Sequence, residues 1–457
     1  MKRLSSQAYR RIALVLALAL IVTAGAQVLY AKGIIGEKED TLLFPAAGGE
    51  LSREGYTLTR TVILSRHNIR SPLSGSGSLV GSLTPHEWFG WSSATGELSL
   101  RGAALETEMG AYFRKWLEGE GLFPENYMPG EGEVRIYSNS KQRTIATATY
   151  FAAGLLPVGE NVIEHHGDYD TMDPVFNPVF TFMSDEYARD IRQEIFGLYG
   201  DELEGLGEYY ELLERVLDCS DSQAVKSGSF AGFTTQDLEL TFKPGAEPSV
   251  SGSLRTGCQA ADALVLQLYE QQSLSDASFG EDLSFEEWQK ISYIKDLYGE
   301  VLFGAPLVSV NIANPLITEL YSEMTREGRK LCFLCGHDSN VTSVLSALGA
   351  ADYSLPGSVE KKTPIGCKVV FCRWENSSGE AFWSVDMVYQ TAGQLRDMPL
   401  LSPGAGPAVY PIILEGLMMN EDGMYPEEIF LERFRETMDR YYELMELYVP
   451  AQLPEAV

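Results

Sequence analysis

The sequence predicts an α/β fold in which helices flank a mostly parallel central sheet. Three short apolar, β-branched runs, at 61–65, 134–138 and 331–335, have the length and composition of buried strands. The second and third runs lead into helix-like stretches, over 141–153 and from 338 to 349. Because strands that alternate with helices usually pair in parallel, we expect the three runs to share one sheet.

The chain begins with a segment typical of an export signal. Basic residues precede an apolar run from Ile12 to Ala26, whose last three residues are suited to cleavage before Gln27. The apolar stretch continues to Ala31, about 20 residues, so a retained membrane anchor is the alternative interpretation. We therefore expect residues 1–26 to be a signal peptide or membrane anchor, and the protein to be periplasmic, secreted or held at the cell surface.

The composition excludes several classes of function. Of 457 residues, 64 are acidic and 35 are basic, which gives a net charge of −29. General nucleic-acid binding and adsorption to an anionic membrane both need a basic surface, so neither partner is expected. The chain is 45% hydrophobic and 11% aromatic, enough for a packed core rather than a disordered chain. Cleavage after residue 26 would remove four basic and no acidic residues and make the charge −33.

The cysteine pattern favours buried thiols over a metal site. The spacings C-x-x-C and C-x-x-x-x-C both fall inside apolar, strand-like runs, whereas zinc-binding cysteines usually lie on polar turns. An exported protein can oxidise its thiols, so one cross-strand disulfide and a Cys219–Cys258 bridge both remain open. The six cysteines are Cys219, Cys258, Cys332, Cys335, Cys367 and Cys372.

Charged and titratable side chains follow each of the three predicted strands. The first strand is followed by the segment 66–72, the second by Asn139-Ser140 and the third by 336–338. The pair Asn139-Ser140 supplies helix-cap chemistry, and an arginine follows in the first turn. Ligands of α/β sheets bind at the carboxyl ends of the strands. The site is therefore predicted to contain Arg66, His67, Arg70, Arg143, His337 and Asp338.

This set of residues suits the chemistry of phosphate esters. Arginines donate pairs of hydrogen bonds to phosphate oxygens, and an anion would remove the penalty of placing Arg143 at the positive end of a helix. One histidine can attack phosphorus, the second can hold an oxygen, and an aspartate can protonate the leaving group. Guanidinium groups can neutralise the transferring phosphoryl group, so neither a metal nor a cofactor is expected. Singly, each residue would be an ordinary surface or core residue; their joint placement makes that interpretation improbable.

These segments resemble the signatures of the histidine acid phosphatases, in branch 2 of the histidine phosphatase superfamily. Residues 66–72 resemble R-H-G-x-R-x-P, residues 336–340 resemble the G-H-D motif, and residues 138–144 look like the segment that supplies a third arginine. Asn68 stands where the broad signature has glycine. In this respect the chain resembles the glucose-1-phosphatase branch, S-R-H-N-x-R-x-P, more than the phytase branch.

The resemblance implies a role for each predicted site residue. His67 would attack the phosphomonoester and form a phosphohistidine, and Asp338 would protonate the leaving oxygen and then assist hydrolysis. The resemblance runs from about Glu54 to about Leu400 and includes Thr171-Met172-Asp173-Pro174. The phosphoryl oxygens would be bound by Arg66, Arg70, Arg143 and His337.

The resemblance also implies a domain organisation of the phosphoglycerate mutase-like type. Residues 27–55 are expected to be a linker, followed by an α/β catalytic core over 56–154 and 291–450. A largely helical cap is expected to be inserted over 155–290. The last helix, from Glu427 to Tyr448, is expected to pack on the sheet.

The sequence thus predicts an exported, metal-independent phosphomonoesterase that acts on small-molecule sugar phosphates such as glucose 1-phosphate. A broader acid phosphatase or phytase is the alternative within the class, and a non-catalytic phosphosugar-binding surface protein is the alternative outside it. A phosphomutase is disfavoured by export. Any contact with a membrane would be through an uncleaved N-terminal segment. We expect an acidic pH optimum, on the reasoning that Asp338 must begin protonated.

Overall fold

The computed structural model of the protein describes residues 44–74 and 78–449. The predicted signal or anchor at 1–26 and residues 27–43 of the predicted linker lie outside the described residues. Within the described ranges, no single helix is long and apolar enough to cross a bilayer. One bent pair, Phe285–Gly304 with Pro306–Thr325, meets the length and hydropathy criteria only when its two helices are joined across a 78° bend.

Strands and helices are both distributed along the described chain, and at two places four α-helices follow one another between strands. The strands are β1 (Tyr56–Arg66), β2 (Val134–Ser138), β3 (Glu239–Thr241), β4 (Ser249–Ser251), β5 (Leu331–Gly336), β6 (Lys368–Asn376), β7 (Ala381–Tyr389), β8 (Ala408–Pro411) and β9 (Tyr425–Pro426). The α-helices are α1 (Leu79–Ser82), α2 (Leu100–Gly119), α3 (Gln142–Leu155), α4 (Asp185–Glu204), α5 (Gly207–Val216), α6 (Gln223–Lys226), α7 (Ser253–Glu270), α8 (Leu274–Ala277), α9 (Phe285–Gly299), α10 (Pro306–Thr325), α11 (Asp338–Ala347), α12 (Ala392–Asp397) and α13 (Glu427–Tyr448). A 3₁₀ turn (Cys219–Asp221) precedes α6, and a π-helical turn (Glu300–Gly304) follows α9.

The central sheet places the three predicted strands side by side. Its order is β2-β5-β1-β6-β7-β8, with β9 paired to β7, and β2, β5 and β1 are parallel. Ser65 of β1 and Ser138 of β2 both lie opposite Cys335 of β5, so the three strands end at one level. The predicted α/β class is confirmed. The sheet is mixed rather than mostly parallel, because β6 and β7 form a hairpin and the remaining pairings are antiparallel.

The sheet buries apolar side chains on both faces. Along β1, Val62 and Leu64 enter one core cluster, whereas Ile63 enters the other. On the second face, the ring of Phe151 in α3 stacks on Phe333 of β5 with centroids 4.0 Å apart. Helices on both faces and alternating burial along β1 make this a layered α/β core.

Helix α3 differs from its predicted bounds because of how it packs. The sequence predicted an Asn139-Ser140 cap and an end at Gly154, but the N-cap is Lys141, which makes no side-chain cap bond, and the helix runs on to Leu155. A Cβ at Gly154 would lie 2.1 Å from the carbonyl oxygen of Thr107 in α2. Gly154 therefore permits close contact between two helices and does not end one.

Helix α13 has the predicted bounds, and it packs on the sheet as expected. The ring of Phe430 stacks on Trp383 with centroids 5.3 Å apart, and Phe434 lies edge-on to Phe371. At the start of the helix, Phe430 is buried while its neighbour Ile429 is 43% exposed. Helix α13 thus covers the antiparallel half of the sheet.

The described end of the predicted linker is packed against the protein. Residues 44–55 form no helix or strand, yet Leu51 is buried in the core beside the sheet. Arg53 pairs with the buried carboxylate of Asp386 at 3.0 Å, and the ring of Phe44 meets Phe285 edge-on. These contacts hold the segment in place before β1 begins.

All six cysteines fall within the described residues, and each is a free thiol. Neither of the disulfides left open by the sequence is formed. Cys332 and Cys335 belong to the core clusters on opposite faces of the sheet, since residues three apart on a strand point in opposite directions. The two thiols of the C-x-x-C pair therefore act as packing residues of the core.

Candidate active site

The carboxyl ends of β1, β2 and β5 open into a cavity of about 350 Å³. Five of the six predicted site residues line it, and the sixth, Arg66, lies directly behind Asp338. We call these six residues the strand-end wall. It consists of Arg66, His67, Arg70, Arg143, His337 and Asp338.

His67 is held with one ring nitrogen free to react. Its Nδ1 lies 2.9 Å from the carbonyl oxygen of Asn68, which can only accept, so Nδ1 carries the proton. The lone pair is then on Nε2. Burial and the positive charge of Arg143 hold the pKa of His67 well below its ordinary value. Both effects favour the neutral ring of His67, which keeps the lone pair on Nε2 available.

Asn68 connects the nucleophile to a buried ion pair. Its Nδ2 donates to Glu106 at 2.8 Å, and its Oδ1 accepts from the backbone of Ile69 at 2.8 Å. Glu106 pairs in turn with Lys368 at 2.8 Å, and both side chains are fully buried. The residue that departs from the broad family signature thus fixes the peptide whose carbonyl orients His67.

Two of the three arginines are already paired with carboxylates. Arg66 is fully buried and contacts Glu360 at 2.7 Å and Asp338 at 3.2 Å. Arg70 donates to Asp262 at 3.0 Å. These pairings fix the guanidinium groups and leave Arg66 oriented toward Asp338 rather than toward the open cavity.

Arg143 differs from the other two arginines. Within the described ranges, no carboxylate lies within ion-pair distance of its guanidinium group, and its Nε is buried without a hydrogen-bond partner. Burial, followed by repulsion from Arg70, lowers the pKa of Arg143 to about 10. An unpaired cation in a polar cavity is a site for an anion, as the position of Arg143 at the start of α3 predicted.

His337 precedes α11, and each of its ring nitrogens has a polar neighbour. Its Nε2 lies 2.6 Å from Nδ2 of Asn139, and its Nδ1 lies 3.5 Å from Nη2 of Arg143. Its backbone N–H donates to Asn340, which anchors the first turn of the helix. Burial and the charge of Arg143 lower the pKa of His337 well below its ordinary value, so the ring is neutral.

Asp338 lies across the cavity from His67, and its side chain is 41% exposed. Although burial raises its pKa, the charges of Arg66 and Lys295 prevail and hold the pKa of Asp338 at about 2. This depressed pKa contradicts the expectation that Asp338 begins protonated. The sequence did not show that two cations would converge on this carboxylate.

A second wall of the cavity comes from residues 247–298, which sequence reasoning did not identify. Asp262 on α7 accepts from Arg70 and pairs with Lys295 of α9 at 3.1 Å. Lys295 also pairs with Glu360 at 2.5 Å, which completes a chain of charges from Arg70 to Arg66. We define the second wall as Glu247, Arg255, Asp262, Lys295 and Tyr298.

Comparisons with known proteins agree with this geometry. A family model described as the histidine phosphatase superfamily (branch 2) matches residues 57–191. The glucose-1-phosphatase of Providencia rettgeri is 35% identical over 394 residues, which cover 84% of this chain and 93% of that protein. The glucose-1-phosphatase of Salmonella typhimurium is 34% identical, with 85% and 94% covered.

A solved structure shares the fold. The phytase from Citrobacter braakii superposes with a TM-score of 0.76 at 26% sequence identity. The match covers 84% of this chain and 98% of that one. The two proteins therefore share the α/β fold.

Proposed function

The chain belongs to branch 2 of the histidine phosphatase superfamily, and from this premise we propose that it is an exported phosphomonoesterase acting on sugar phosphates such as glucose 1-phosphate. One observation carries the proposal. The unprotonated Nε2 of His67 faces a cavity that also holds the unpaired guanidinium of Arg143 and the carboxylate of Asp338. A nucleophile, an anion site and a proton carrier thus share one cavity.

The phosphoryl group would bind among the donors of the strand-end wall. Arg143 supplies the charge that has no partner, while Arg70 and His337 supply further N–H donors around the cavity. Binding of a phosphate dianion would neutralise part of the positive charge beside Asp338. The pKa of Asp338 would then rise, because the cations that depress it would be shared with the substrate.

The proposed reaction has two steps. His67 Nε2 attacks phosphorus, the bond to the ester oxygen breaks, and that oxygen takes a proton from Asp338, which leaves phosphohistidine and an alcohol. The carboxylate of Asp338 then accepts a proton from water as the water oxygen attacks phosphorus. The P–N bond breaks, and free phosphate and neutral His67 are released.

The acidic optimum has a different origin from the one the sequence suggested. Phosphate monoesters lose their second proton near pH 6, so the monoanion predominates below that pH. The monoanion brings one proton into the site, and the Asp338 carboxylate can take it up and pass it to the leaving oxygen. We therefore expect activity to fall as pH rises above about 6, since the substrate dianion carries no such proton.

The second wall supports a preference for substrates with one phosphate. The carboxylate of Glu247 lines the cavity, and Leu73 lies at its mouth with 57% of its surface exposed. A carboxylate repels additional phosphate groups, whereas the hydroxyls of a hexose can bond to it. Glucose 1-phosphate fits this arrangement better than inositol hexakisphosphate.

A phytase is the second candidate, and one observation favours it. Arg255 and Lys362 also line the cavity, and cations there would attract the peripheral phosphates of an inositol phosphate. The rates on glucose 1-phosphate and inositol hexakisphosphate separate the two functions. A higher kcat/KM on inositol hexakisphosphate would replace the first candidate with the second.

Trapping the covalent intermediate tests the enzymatic proposal itself. Wild type quenched in acid-free denaturant during turnover of ³²P-labelled substrate should carry label on histidine, and His67→Ala should carry none. His86→Ala is the matched control, because His86 is partly exposed and pairs with Asp218 at 2.7 Å. Equal rates in wild type and His67→Ala, with no label in either, would leave a phosphosugar-binding protein as the remaining function.

The proposal extends to export and to the domain organisation. Export is supported by the basic and apolar pattern of residues 1–26. Residues 155–290 would act as a cap that closes the cavity over the leaving group. N-terminal sequencing of the exported protein should begin at Gln27. A full-length chain retained in the membrane fraction would establish the anchor instead.

A further inference from the structure

We infer that Asn139 is a positioning residue that keeps His337 neutral with its proton on Nδ1, so that His337 binds substrate as a hydrogen-bond donor and not as a cation. Asn139 directly follows β2 and is fully buried. The inference concerns the free protein. It rests on the proposed function only in naming a phosphoryl oxygen as the acceptor for His337.

The orientation of the Asn139 amide is fixed by backbone donors. Its Oδ1 accepts from the backbone N–H of Ser140 at 2.7 Å and from that of Asp173 at 2.8 Å. The oxygen therefore cannot face the imidazole, and Nδ2 must do so, at 2.6 Å from Nε2 of His337. An amide nitrogen only donates, so Nε2 accepts and the ring proton is on Nδ1.

The loop at 171–174 supplies the rest of this framework. Asp173 is fully buried, and its carboxylate accepts from the hydroxyl of Tyr137 at 2.7 Å and from the backbone of His166 at 2.6 Å. The second N–H of the Asn139 amide lies 3.3 Å from the sulfur of Met172. The stretch singled out in the sequence as part of the family resemblance thus holds Asn139 in one orientation.

The protonated Nδ1 of His337 then needs an acceptor in the cavity. Nη2 of Arg143 lies 3.5 Å away, but it is also a donor, so the two groups cannot bond to one another. Two donors at this separation can share one oxygen of a bound phosphoryl group. A neutral donor also avoids a further positive charge beside Arg66, Arg70 and Arg143, with Asp338 the nearest anion.

The two active-site histidines therefore have the same tautomer but opposite functions. Their ring centroids are 5.4 Å apart. His67 donates from Nδ1 to a backbone carbonyl and presents the Nε2 lone pair, whereas His337 accepts at Nε2 and presents Nδ1–H. If the Asn139 amide were replaced by a group that only accepts hydrogen bonds, Nε2 of His337 would become the donor, and His337 would no longer present Nδ1–H in contrast to His67.

The decisive measurement is the protonation of the His337 ring nitrogens in the ligand-free protein. Long-range ¹H–¹⁵N correlation spectra of ¹⁵N-histidine-labelled protein, with His337→Gln to assign the signals, should show protonated Nδ1 and unprotonated Nε2 from pH 5 to pH 8. Protonated Nε2 in the wild type would overturn the inference. This result needs no variant of Asn139, so it decides the question even if such a variant does not fold.

The isosteric change Asn139→Asp tests the cause. A carboxylate can keep accepting from the backbone of Ser140 and Asp173, but its second oxygen would accept from the imidazole, so Nε2 should become protonated. Asn340→Asp is the control, because Asn340 contacts the backbone of His337 and not its ring. Nε2 that stays unprotonated in Asn139→Asp, or becomes protonated equally in Asn340→Asp, would contradict the assignment.

Inhibition by inorganic phosphate gives an independent readout. Phosphate itself titrates between pH 5 and pH 8 and gives both proteins a common pH dependence; the inhibition constant of Asn139→Asp should show one further titration in this range, since His337 then gains and loses a charge. An unchanged pH dependence would count against the inference. A wild type that forms phosphohistidine but has Nε2 protonated would overturn only the role of Asn139, whereas loss of labelling would overturn the proposed function.

Discussion

The two walls of the cavity are built in opposite ways. The strand-end wall lies where β1, β2 and β5 end, and its residues come from the end of β1, from the loops that follow β1 and β5, and from the first turns of α3 and α11. The second wall comes from distant segments, with Asp262 on α7 and Lys295 on α9 reaching the same cavity. In the proposed reaction, the first wall would carry the reacting groups, and the second would carry the charges and side chains around the leaving group.

The two walls would therefore differ in function: the strand-end wall would carry out the reaction, and the second wall would adjust its pH dependence and its selectivity. Groups fixed at the ends of parallel strands cannot move apart without breaking the sheet, so that wall suits a reaction common to the whole family. The second wall depends on how α7 and α9 dock, and its residues can change with the substrate. Substitutions in the strand-end wall should therefore reduce the rate for all substrates, and those in the second wall should change pH dependence or selectivity.

The largest effect is expected for Asp338→Asn. An amide cannot pass a proton to the leaving oxygen, so kcat on glucose 1-phosphate should fall by about 10²–10⁴-fold, the usual contribution of general acid catalysis. The loss on p-nitrophenyl phosphate should be much smaller, because that leaving group needs no proton. Asp352→Asn, at a side chain that is 90% exposed, is the control. Equal losses on both substrates would remove Asp338 from the proton transfer.

The second-largest effect is expected for Arg143→Ala. Arg143 has no carboxylate partner in the described part of the chain, so its removal leaves no buried anion behind and should cost little stability. Loss of one charged donor to the phosphoryl group should reduce kcat/KM by about 10²–10³-fold on every substrate. Arg255→Ala, in the second wall, is the comparison. The division between the walls would fail if Arg255→Ala produced the same uniform loss.

The sequence predicted the strand-end wall because its signals are local. An apolar run that stops at Arg66-His67 or at His337-Asp338 shows both the strand and the polar residues at its end. Asp262 and Lys295 gave no such signal, since each is a charged residue on a helix like many others in this chain. Their burial results from the docking of α7 and α9, which depends on contacts far apart in the sequence.

The helix bounds show the same limitation. Gly154 was taken as a helix end because glycine commonly ends helices, but its role is to permit contact with α2. Asn139 was assigned to a helix cap on equally sound local grounds, yet its amide contacts His337 from the end of the neighbouring strand. The local sequence pattern indicated that Gly154 and Asn139 have structural roles. Only the tertiary contacts showed that Gly154 permits helix packing and that Asn139 contacts His337.

Lys295→Met should act on stability and on pH dependence together. Removing this cation leaves Asp262 and Glu360 without a shared partner, which should lower the free energy of unfolding by about 3–5 kcal/mol. It should also raise the pKa of Asp338, since Lys295 is one of the cations that depress it. In the complex the proton brought by the substrate is shared with Asp338, so a more basic carboxylate should hold that proton to higher pH, and the alkaline fall in kcat should move upward.

Two measurements check this prediction. Denaturant unfolding gives the stability, and the pH dependence of kcat gives the shift. Lys290→Met is the control on the same helix, because Lys290 is more exposed and lies 3.9 Å from Glu208. An unchanged pH profile in Lys295→Met would mean that Arg66 alone sets the protonation of Asp338.

Glu247→Gln should change selectivity more than rate. The amide keeps the size and hydrogen bonding of the side chain and removes the charge that opposes additional phosphates. We expect kcat/KM on glucose 1-phosphate to change less than about threefold, and kcat/KM on inositol hexakisphosphate to rise by about tenfold, equivalent to about 1.4 kcal/mol. Glu208→Gln is the control, because Glu208 lies outside the cavity lining, with its carboxylate 3.9 Å from Lys290. Parallel changes on both substrates would show that Glu247 does not select among them.

The smallest effect is expected from ionic strength, and it separates the cavity from the surface as a whole. With 64 acidic and 35 basic residues, the protein should repel a phosphate ester at long range, while the arginines attract it only inside the cavity. Raising the salt concentration from about 0.01 M to 0.15 M shortens the Debye length from about 30 Å to about 8 Å, which screens the surface more than the buried cluster. The kcat/KM for glucose 1-phosphate should therefore stay constant or rise by less than about twofold. A steep fall in kcat/KM with rising salt would mean that surface cations attract the substrate at long range. The contrast between an acidic surface and a basic cavity would then not determine the rate of substrate binding.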